Sequence, residues 1–495
     1  MSDPEFELTT PPLRPPLHDS SSPRDGEIVV DLSKLKKWQE ERIARRLRGE
    51  YESAVLHLAE VVNANIETHM RLAAVRIDGA PKTRSSFLGW LVQPYLDKPN
   101  PETQTLGTVL NDARSIGSLL QETDIFESVY AKVERSREPT AQHGDVELVF
   151  KAKERPRMYL KTATELGNSE AGASATCRVR NAFGGAEAFE AHLAFGTTTR
   201  VAYNASLSAP LTRSLATRGE LSVFGFERDN TPFCSAFEGV RGVRAVVRNG
   251  TLRTGLHELA YEGVLRHVGN LQASASVSMR EAAGLSAKSA LSHTWTRDTR
   301  DDSITGTRGA YVRLANEFAG LGGDAHFFKS EAATQLVRPL LPGVSLSFAA
   351  RAGALWPLGP MRVPFPDRFQ LGGPTSVRMF RTSSMGPHDG PDSLGGDLFW
   401  SAGLSLISDI PRKPHWPVKL HGFLNAGRLD SVDRAKPFQD SLVSTLSKPS
   451  VSVGLGIVYR LQGIRIEMNF GLPVIAAKAE GTRKGFQLGV GMEFL

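Results

Sequence analysis

The chain has 495 residues, 40% of them hydrophobic and 23% charged, and 59 basic against 53 acidic side chains give a net charge of +6. No basic block stands out for nucleic acid to bind, and the lack of any run of about 18 apolar residues excludes helical membrane spans. A transmembrane barrel escapes that exclusion, because only every second residue of its strands needs to be apolar.

Residues 1–30 are polar and rich in proline (Pro4, Pro11, Pro12, Pro15, Pro16, Pro23), which predicts a disordered tail. No apolar core follows a basic start, and Asp3, Glu5 and Glu7 precede the first arginine, so neither a signal peptide nor an organelle presequence is expected. That favours a barrel made in the cytosol of a eukaryote over one exported through a bacterial inner membrane. Residues 31–67 read as one amphipathic helix, with Ile43, Leu47, Tyr51, Ala54, Leu58 and Val61 recurring every three or four positions. It either docks a partner or packs on its own domain.

Residues 68–160 predict a small α/β unit of order β-α-α-β-β. Val75 and Ile77 mark a strand ending at Asp78-Gly79. Helical spacing follows over 84–96 and through Leu106, Val109, Leu110, Ala113, Ile116 and Leu119, and strands through Val129–Val133 and Val146–Ala152 close the unit. Such a sheet has an edge onto which an extended chain can add, unless the helix at 31–67 covers it.

Residues 165–495 change character. Val201, Tyr203, Ala205, Leu207 and Ala209 alternate with Ala202, Asn204, Ser206 and Ser208. The same period of two runs through 344–351, 398–406, 451–460 and 463–470, where Ile464, Ile466, Met468 and Phe470 alternate with Arg465, Glu467 and Asn469. In the last stretch Phe486, Leu488, Val490, Met492 and Phe494 face away from Gln487, Gly489, Gly491 and Glu493. Apolar residues on one face and small or polar ones on the other suit strands with lipid outside and water inside, and each run is about the 9–11 residues a tilted membrane strand needs. A soluble antiparallel sandwich is the alternative. At roughly 20 residues per strand and connection the region holds about sixteen strands, an even number as in single-chain bacterial barrels. Asn249-Gly250 predicts a two-residue hairpin turn. The seam between first and last strands is expected near 172–181 and 484–495.

One connection, 356–395, is too long for a simple link. It carries Pro357, Pro360, Pro364 and Pro366, then Leu371-Gly372-Gly373-Pro374-Thr375-Ser376-Val377-Arg378-Met379-Phe380. Val377 and Phe380 flank Arg378 and would want burial, so a loop folded into the lumen must offer Arg378 acceptors on the inner wall. An exposed arginine on a mobile loop is the other reading.

The segment Phe369–Phe380, placed after an eleventh strand and downstream of a POTRA-like unit, resembles the signature loop of the POTRA-plus-barrel superfamily of outer-membrane assembly proteins. One POTRA unit, Leu394-Gly-Gly-Asp397 and Phe423-Leu-Asn-Ala-Gly427 resemble the core barrel subunits of mitochondrial sorting and assembly machineries. The resemblance covers about 69–495. It implies a transmembrane β-barrel of about 16 antiparallel strands with one N-terminal POTRA domain in the intermembrane space, inserting β-barrel precursors into the mitochondrial outer membrane. It implies signature-loop roles for Gly372, Gly373, Val377, Arg378 and Phe380. Relatives usually carry Gly where this chain has Met379, which predicts a locally different loop tip. Inner-wall positions that are often acidic in bacterial relatives correspond here to Ser405 and Asn425, leaving those neutral acceptors or Asp397 as candidate partners of Arg378.

The chain's own last strand fits the polar-x-Gly-x-x-apolar-x-apolar template of precursor end strands through Gln487, Gly489, Met492 and Phe494. A lateral gate is therefore expected between that strand and a first strand containing Ala175, Cys177 and Val179. Unpaired backbone in lipid costs several kcal/mol per group, so a parted edge would template a precursor strand. Expected partners are β-barrel precursors, accessory subunits on the cytosolic face, another barrel protein and the lipid bilayer, with no nucleic acid.

No phosphate-binding glycine loop, His-Glu-x-x-His or Gly-x-Ser-x-Gly occurs, and no enzyme, cofactor or metal is expected. Cys177 and Cys234 form no metal or redox pattern and are expected as free thiols. A passive pore and a protein-translocating channel remain the alternatives to an insertase.

Overall fold

The computed structural model describes residues 36–37, 39–41, 43–44, 59–97, 104–137, 139, 141–142, 144–167, 170–197, 199–360, 362–413, 416–432, 437–461 and 464–491. The 1–30 tail lies outside these residues, as does most of the expected helix at 31–67. Within the latter, the described positions of 36–44 and the run 59–64 are helical.

The N-terminal elements are β1 (Arg71–Asp78), α1 (Ser85–Leu96), α2 (Leu106–Glu122), β2 (Phe126–Arg135) and β3 (Asp145–Glu154), in a three-stranded sheet of order β1-β3-β2. Val109, Ala113, Ile116 and Leu120 form the buried stripe of α2, at the spacing that brings one helix face to a core. Residues 145–150 of β3 are buried on both faces, as a central strand requires, whereas Tyr130 on edge strand β2 is exposed.

The second sheet starts with β4 (Met158–Gly167), β5 (Glu170–Arg180), β6 (Ala188–Gly196), β7 (Thr199–Pro210) and β8 (Thr217–Asp229). After α3 (Thr231–Cys234) come β9 (Phe237–Thr251) and β10 (Gly255–Gly269), then α4 (Val277–Ala282), β11 (Gly284–Asp298), β12 (Gly309–Gly323), β13 (Phe327–Leu341) and β14 (Val344–Pro357). A short hairpin, β15 (His388–Asp389) and β16 (Asp392–Ser393), sits within the long loop. The chain ends with β17 (Leu398–Asp409), β18 (Val418–Asp430), α5 (Phe438–Ser447), β19 (Ser450–Leu461), β20 (Ile464–Ile475) and β21 (Gly485–Gly491). Sixteen strands form one antiparallel meander, interrupted in sequence only by the hairpin, with β4 and β21 at its two ends.

Alternation decides which face is which. On β17, Ser401, Gly403 and Ser405 are buried inside while Leu404 and Leu406 point out. The outer face exposes Leu265, Leu424, Leu455, Phe470, Phe486 and Leu488, and a belt of that size is stable against lipid rather than water. No helix among the described residues is long and apolar enough to cross a membrane.

Two expectations need correction. The sheet begins with β4 at Met158, so 172–181 falls in the second barrel strand, and Ala175, Cys177 and Val179 pair with Thr162, Leu160 and Met158 of the true edge. The sequence hides this strand because Lys161 and Thr162 interrupt any clean alternation in Met158–Gly167. Asn249 and Gly250 lie inside β9, and the chain turns at 252–254, where Thr251 pairs with Gly255 and the Thr251 and Thr254 hydroxyls meet at 2.7 Å.

Candidate functional site: a loop clamped across the barrel

The loop of residues 358–397 enters the lumen, and its centre is Arg378. The guanidinium is fully buried and donates Nε to Glu467 Oε2 at 2.8 Å and Nη2 to Glu467 Oε1 at 3.1 Å, a bidentate pair. Nη1 reaches Asn425 Oδ1 at 3.3 Å, and the Phe423 ring lies 5.2 Å from the guanidinium carbon. Glu467 also takes a contact of 2.5 Å from Arg465 and accepts from Asn469 Nδ2 at 2.8 Å. One carboxylate thus serves two guanidiniums in a buried site. Opposite it in register on β21 stands Gly489, which has no side chain to crowd the clamp.

The loop backbone is tied to the end of the sheet as well. Gln487 of β21 accepts the Met379 N–H at 2.9 Å and donates to the Phe380 carbonyl at 2.9 Å. Arg381 N–H donates to the Gly481 carbonyl and Arg483 N–H to the Met379 carbonyl, stitching the loop to the β20–β21 connection. Gly372 and Gly373 turn the chain at φ +103° and +122°, which side chains resist. Val377 packs so tightly on Gly427 that a methyl group there would meet it at 2.9 Å.

Met379 adopts φ +65°, the left-handed conformation a glycine would take, so the loop tip keeps the glycine-type backbone despite the side chain. The side chain is buried, with its sulfur over Gly471. Met379→Gly would relieve about 1–2 kcal/mol of backbone strain but lose packing worth about 2–5 kcal/mol. We therefore expect stability to fall in the order wild type, Met379→Gly, Met379→Ala, since alanine keeps the strain without the packing. Thermal unfolding in detergent checks this, and a more stable glycine variant would refute it.

A second anchor holds the other half of the loop. Asp367, 5% exposed, pairs with Arg266 of β10 at 2.7 Å and lies 3.7 Å from Lys288 of β11, while its carbonyl accepts from Lys329 Nζ at 2.9 Å. β20 is second and β10 tenth in the sixteen-strand order, so the two anchors stand half the sheet apart and the loop crosses the lumen. Neighbouring connections close over it: Ser276 N–H donates to Asp392 at 2.7 Å, Ser278 N–H to Asp389 at 3.1 Å, and Phe365 packs with Cys234, Val268 and Met279.

The opposite mouth has its own span. The β11–β12 turn, 299–308, is organised by Asp301, which accepts from the backbone of Asp302, Thr307 and Arg308. From there Asp302 pairs with Arg460, and the Ile304 carbonyl accepts from Arg465 Nη1 at 3.3 Å. Arg465 therefore joins this turn to the carboxylate that holds Arg378.

The structure brings Gly372, Gly373, Val377, Arg378 and Phe380 together with Asn425 and Gln487. The carboxylate at Arg378 is Glu467, a correction to the expectation of neutral acceptors or Asp397. Asp397 stands at the loop's base, accepting the Val432 N–H at 3.2 Å, and Ser405 is on the inner face of β17. Met492 and Phe494 lie outside the described residues. Sequence reasoning missed Glu467, Asp367 and Arg266. The available signal was charge on the inner face of strands, as in the Arg465-x-Glu467 alternation.

Residues 181–494 match the Omp85 superfamily domain. The chain is 35% identical to a SAM50-like protein of Schizosaccharomyces pombe, over 90% of this chain and 95% of that protein. It is 31% identical to the sorting and assembly machinery component 50 homolog of Xenopus tropicalis and 30% to that of Homo sapiens, in both cases over 85% of this chain and 90% of the relative. Among solved structures, BamA from Haemophilus ducreyi lacking POTRA domains 1–3 superposes with a TM-score of 0.72 over 85% of this chain and 84% of that chain, at 16% identity, which shows a shared fold.

Proposed function

The chain belongs to the Omp85 superfamily, and from that membership we propose that it inserts and folds β-barrel precursors through a lateral gate between β4 and β21. We place it in the mitochondrial outer membrane with barrel proteins as its clients, within a sorting and assembly machinery of the kind for which its relative in Xenopus tropicalis is named. Accessory subunits on the cytosolic face and a second barrel protein are further proposed partners. The work is non-covalent: strand pairing supplies the driving force, and no enzymatic step is needed.

The observation that carries the gate is the sheet order, which among the described residues has two ends, β4 and β21, that lie side by side without a paired ladder. β21 has only seven described residues, and its inward Gln487 is held by the lumenal loop. A strand fixed from inside can separate from β4 without losing its place, and a precursor's end strand can then pair with the freed edge. Two spans crossing the lumen argue against a passive pore or a translocating channel.

Crosslinking tests the gate. Cys177 faces Leu160 across the β4–β5 pair, so the probes are Met158→Cys and Thr162→Cys in a Cys177→Ala background. Cys234 can stay, because burial, with the Asp392 charge adding to it, pushes its thiol up to about 12 and keeps it protonated. A stalled precursor with cysteines in its last strand should form disulfides with both positions. Efficient assembly with no adduct at either would rule the gate out.

A further inference from the structure

The barrel end that carries the long loop has an unassigned feature on its outer rim. α5 lies against the lipid-facing register: Trp400 Nε1 donates to the Thr445 carbonyl at 2.9 Å, and the Phe438 ring meets Trp356 edge-on with centroids 5.6 Å apart. Trp400 and Trp356 alternate with inward Ser401 and Leu355, so the helix is continuous with the apolar belt of β14 and β17. Leu442, Val443 and Leu446 stay exposed, Val443 by 64%, at a spacing that puts them on one helix face. Beside the helix is a cavity of about 620 Å³ whose wall combines Trp356 and Phe438 with Arg362, Arg368 and the single carboxylate Asp397, so the two arginines leave a net positive lining. Arg368 is held in place through Nε on the Val363 carbonyl at 3.2 Å and Nη1 on the Leu394 carbonyl at 3.5 Å, which leaves Nη2 for a ligand, while Arg362 is exposed.

Tryptophans at the end of the apolar belt, an amphipathic helix with its apolar face outward and two arginines in one cavity match the layered chemistry of a bilayer interface. Aromatic rings sit at headgroup level, short apolar helix faces dip below it, and guanidiniums pair with phosphate. We propose that α5 lies in the membrane interface and that the cavity beside it holds the headgroup of an anionic phospholipid. Arg362 and Arg368 face the phosphate, and Trp356 and Phe438 face the glycerol and upper acyl chain. The belt commits the site to lipid, since a soluble anion would have no use for the aromatic wall.

Native mass spectrometry of the full chain in detergent, titrated with phosphatidylglycerol or phosphatidylcholine of equal chain length, tests the site. Phosphatidylglycerol should bind more tightly, and Arg362→Ala and Arg368→Ala should each weaken it roughly fivefold, about 1 kcal/mol per basic residue, with phosphatidylcholine unchanged. Arg368 also braces the loop, so exposed Arg362 is the decisive position. In nanodiscs of both lipids, Val443→Cys in the Cys177→Ala background should resist a membrane-impermeant maleimide. Unchanged phosphatidylglycerol affinity in Arg362→Ala overturns the proposal. So does displacement of the lipid by inorganic phosphate at comparable concentration, or free labelling of Val443→Cys in the nanodisc, which would leave the face for a protein partner.

Discussion

Glu467→Gln is expected to destabilise the barrel by about 3–5 kcal/mol, the cost of removing one partner from a buried ion pair, and to cost more than loss of either arginine. The asymmetry follows from the geometry. Glu467 holds Arg378 at 2.8 Å and Arg465 at 2.5 Å, and its side chain is fully buried. Neutralising it leaves two guanidiniums sharing a buried site without a counter-charge. Arg378→Met leaves Glu467 still paired with Arg465, and methionine can fill much of the volume beside Phe423. The cost there should be smaller, about 1–3 kcal/mol. Thermal and denaturant unfolding of purified variants would measure the order. If Arg378→Met proves as damaging as Glu467→Gln, the shared carboxylate is not the centre of the clamp. Assembly of newly imported barrel precursors should fall in the same order, since the same clamp positions the backbone of Met379 and Phe380 against Gln487.

Asp367→Asn cuts the other anchor and should cost about 3 kcal/mol on the same ground. Arg266 is 4% exposed and loses its carboxylate, whereas Lys288 keeps Glu317 at 2.8 Å and Glu262 at 3.4 Å. The two anchors share no partner and sit on opposite walls, so their stability effects should add within a few tenths of a kcal/mol. Release of the loop should not add. Either anchor alone keeps the loop in the lumen, and only the double variant Glu467→Gln/Asp367→Asn should be cut quickly by protease within 369–385. Rapid cleavage of the Asp367→Asn single variant would mean that the Arg378 side does not hold the loop by itself.

Much of the barrel could be read from local pattern. Period-two alternation in Ile464–Phe470, Val451–Tyr459 and Leu398–Leu406 requires no partner to be recognised, because each strand meets the same two environments along its length. The loop announced itself through Val377, Arg378 and Phe380, apolar and charged residues that no exposed connection has reason to combine. β4 failed to show, since Lys161 and Thr162 blur its two faces. Asn249-Gly250 misled because a turn-forming dipeptide can also sit in a strand when the register places the reversal three residues later.

By itself, the order of amino acids favoured a lipid-facing barrel over a soluble sandwich and marked out the arginine-bearing loop, since periodicity and turn chemistry act over neighbouring residues. Only the tertiary structure decided which carboxylates receive that loop. Glu467 is 89 positions from Arg378, and Arg266 is 101 positions from Asp367 (367 minus 266). Strand register sets which inward side chains share a level in the lumen. That register depends on sixteen strands pairing at once, so nothing local to Arg378 or Asp367 specifies it.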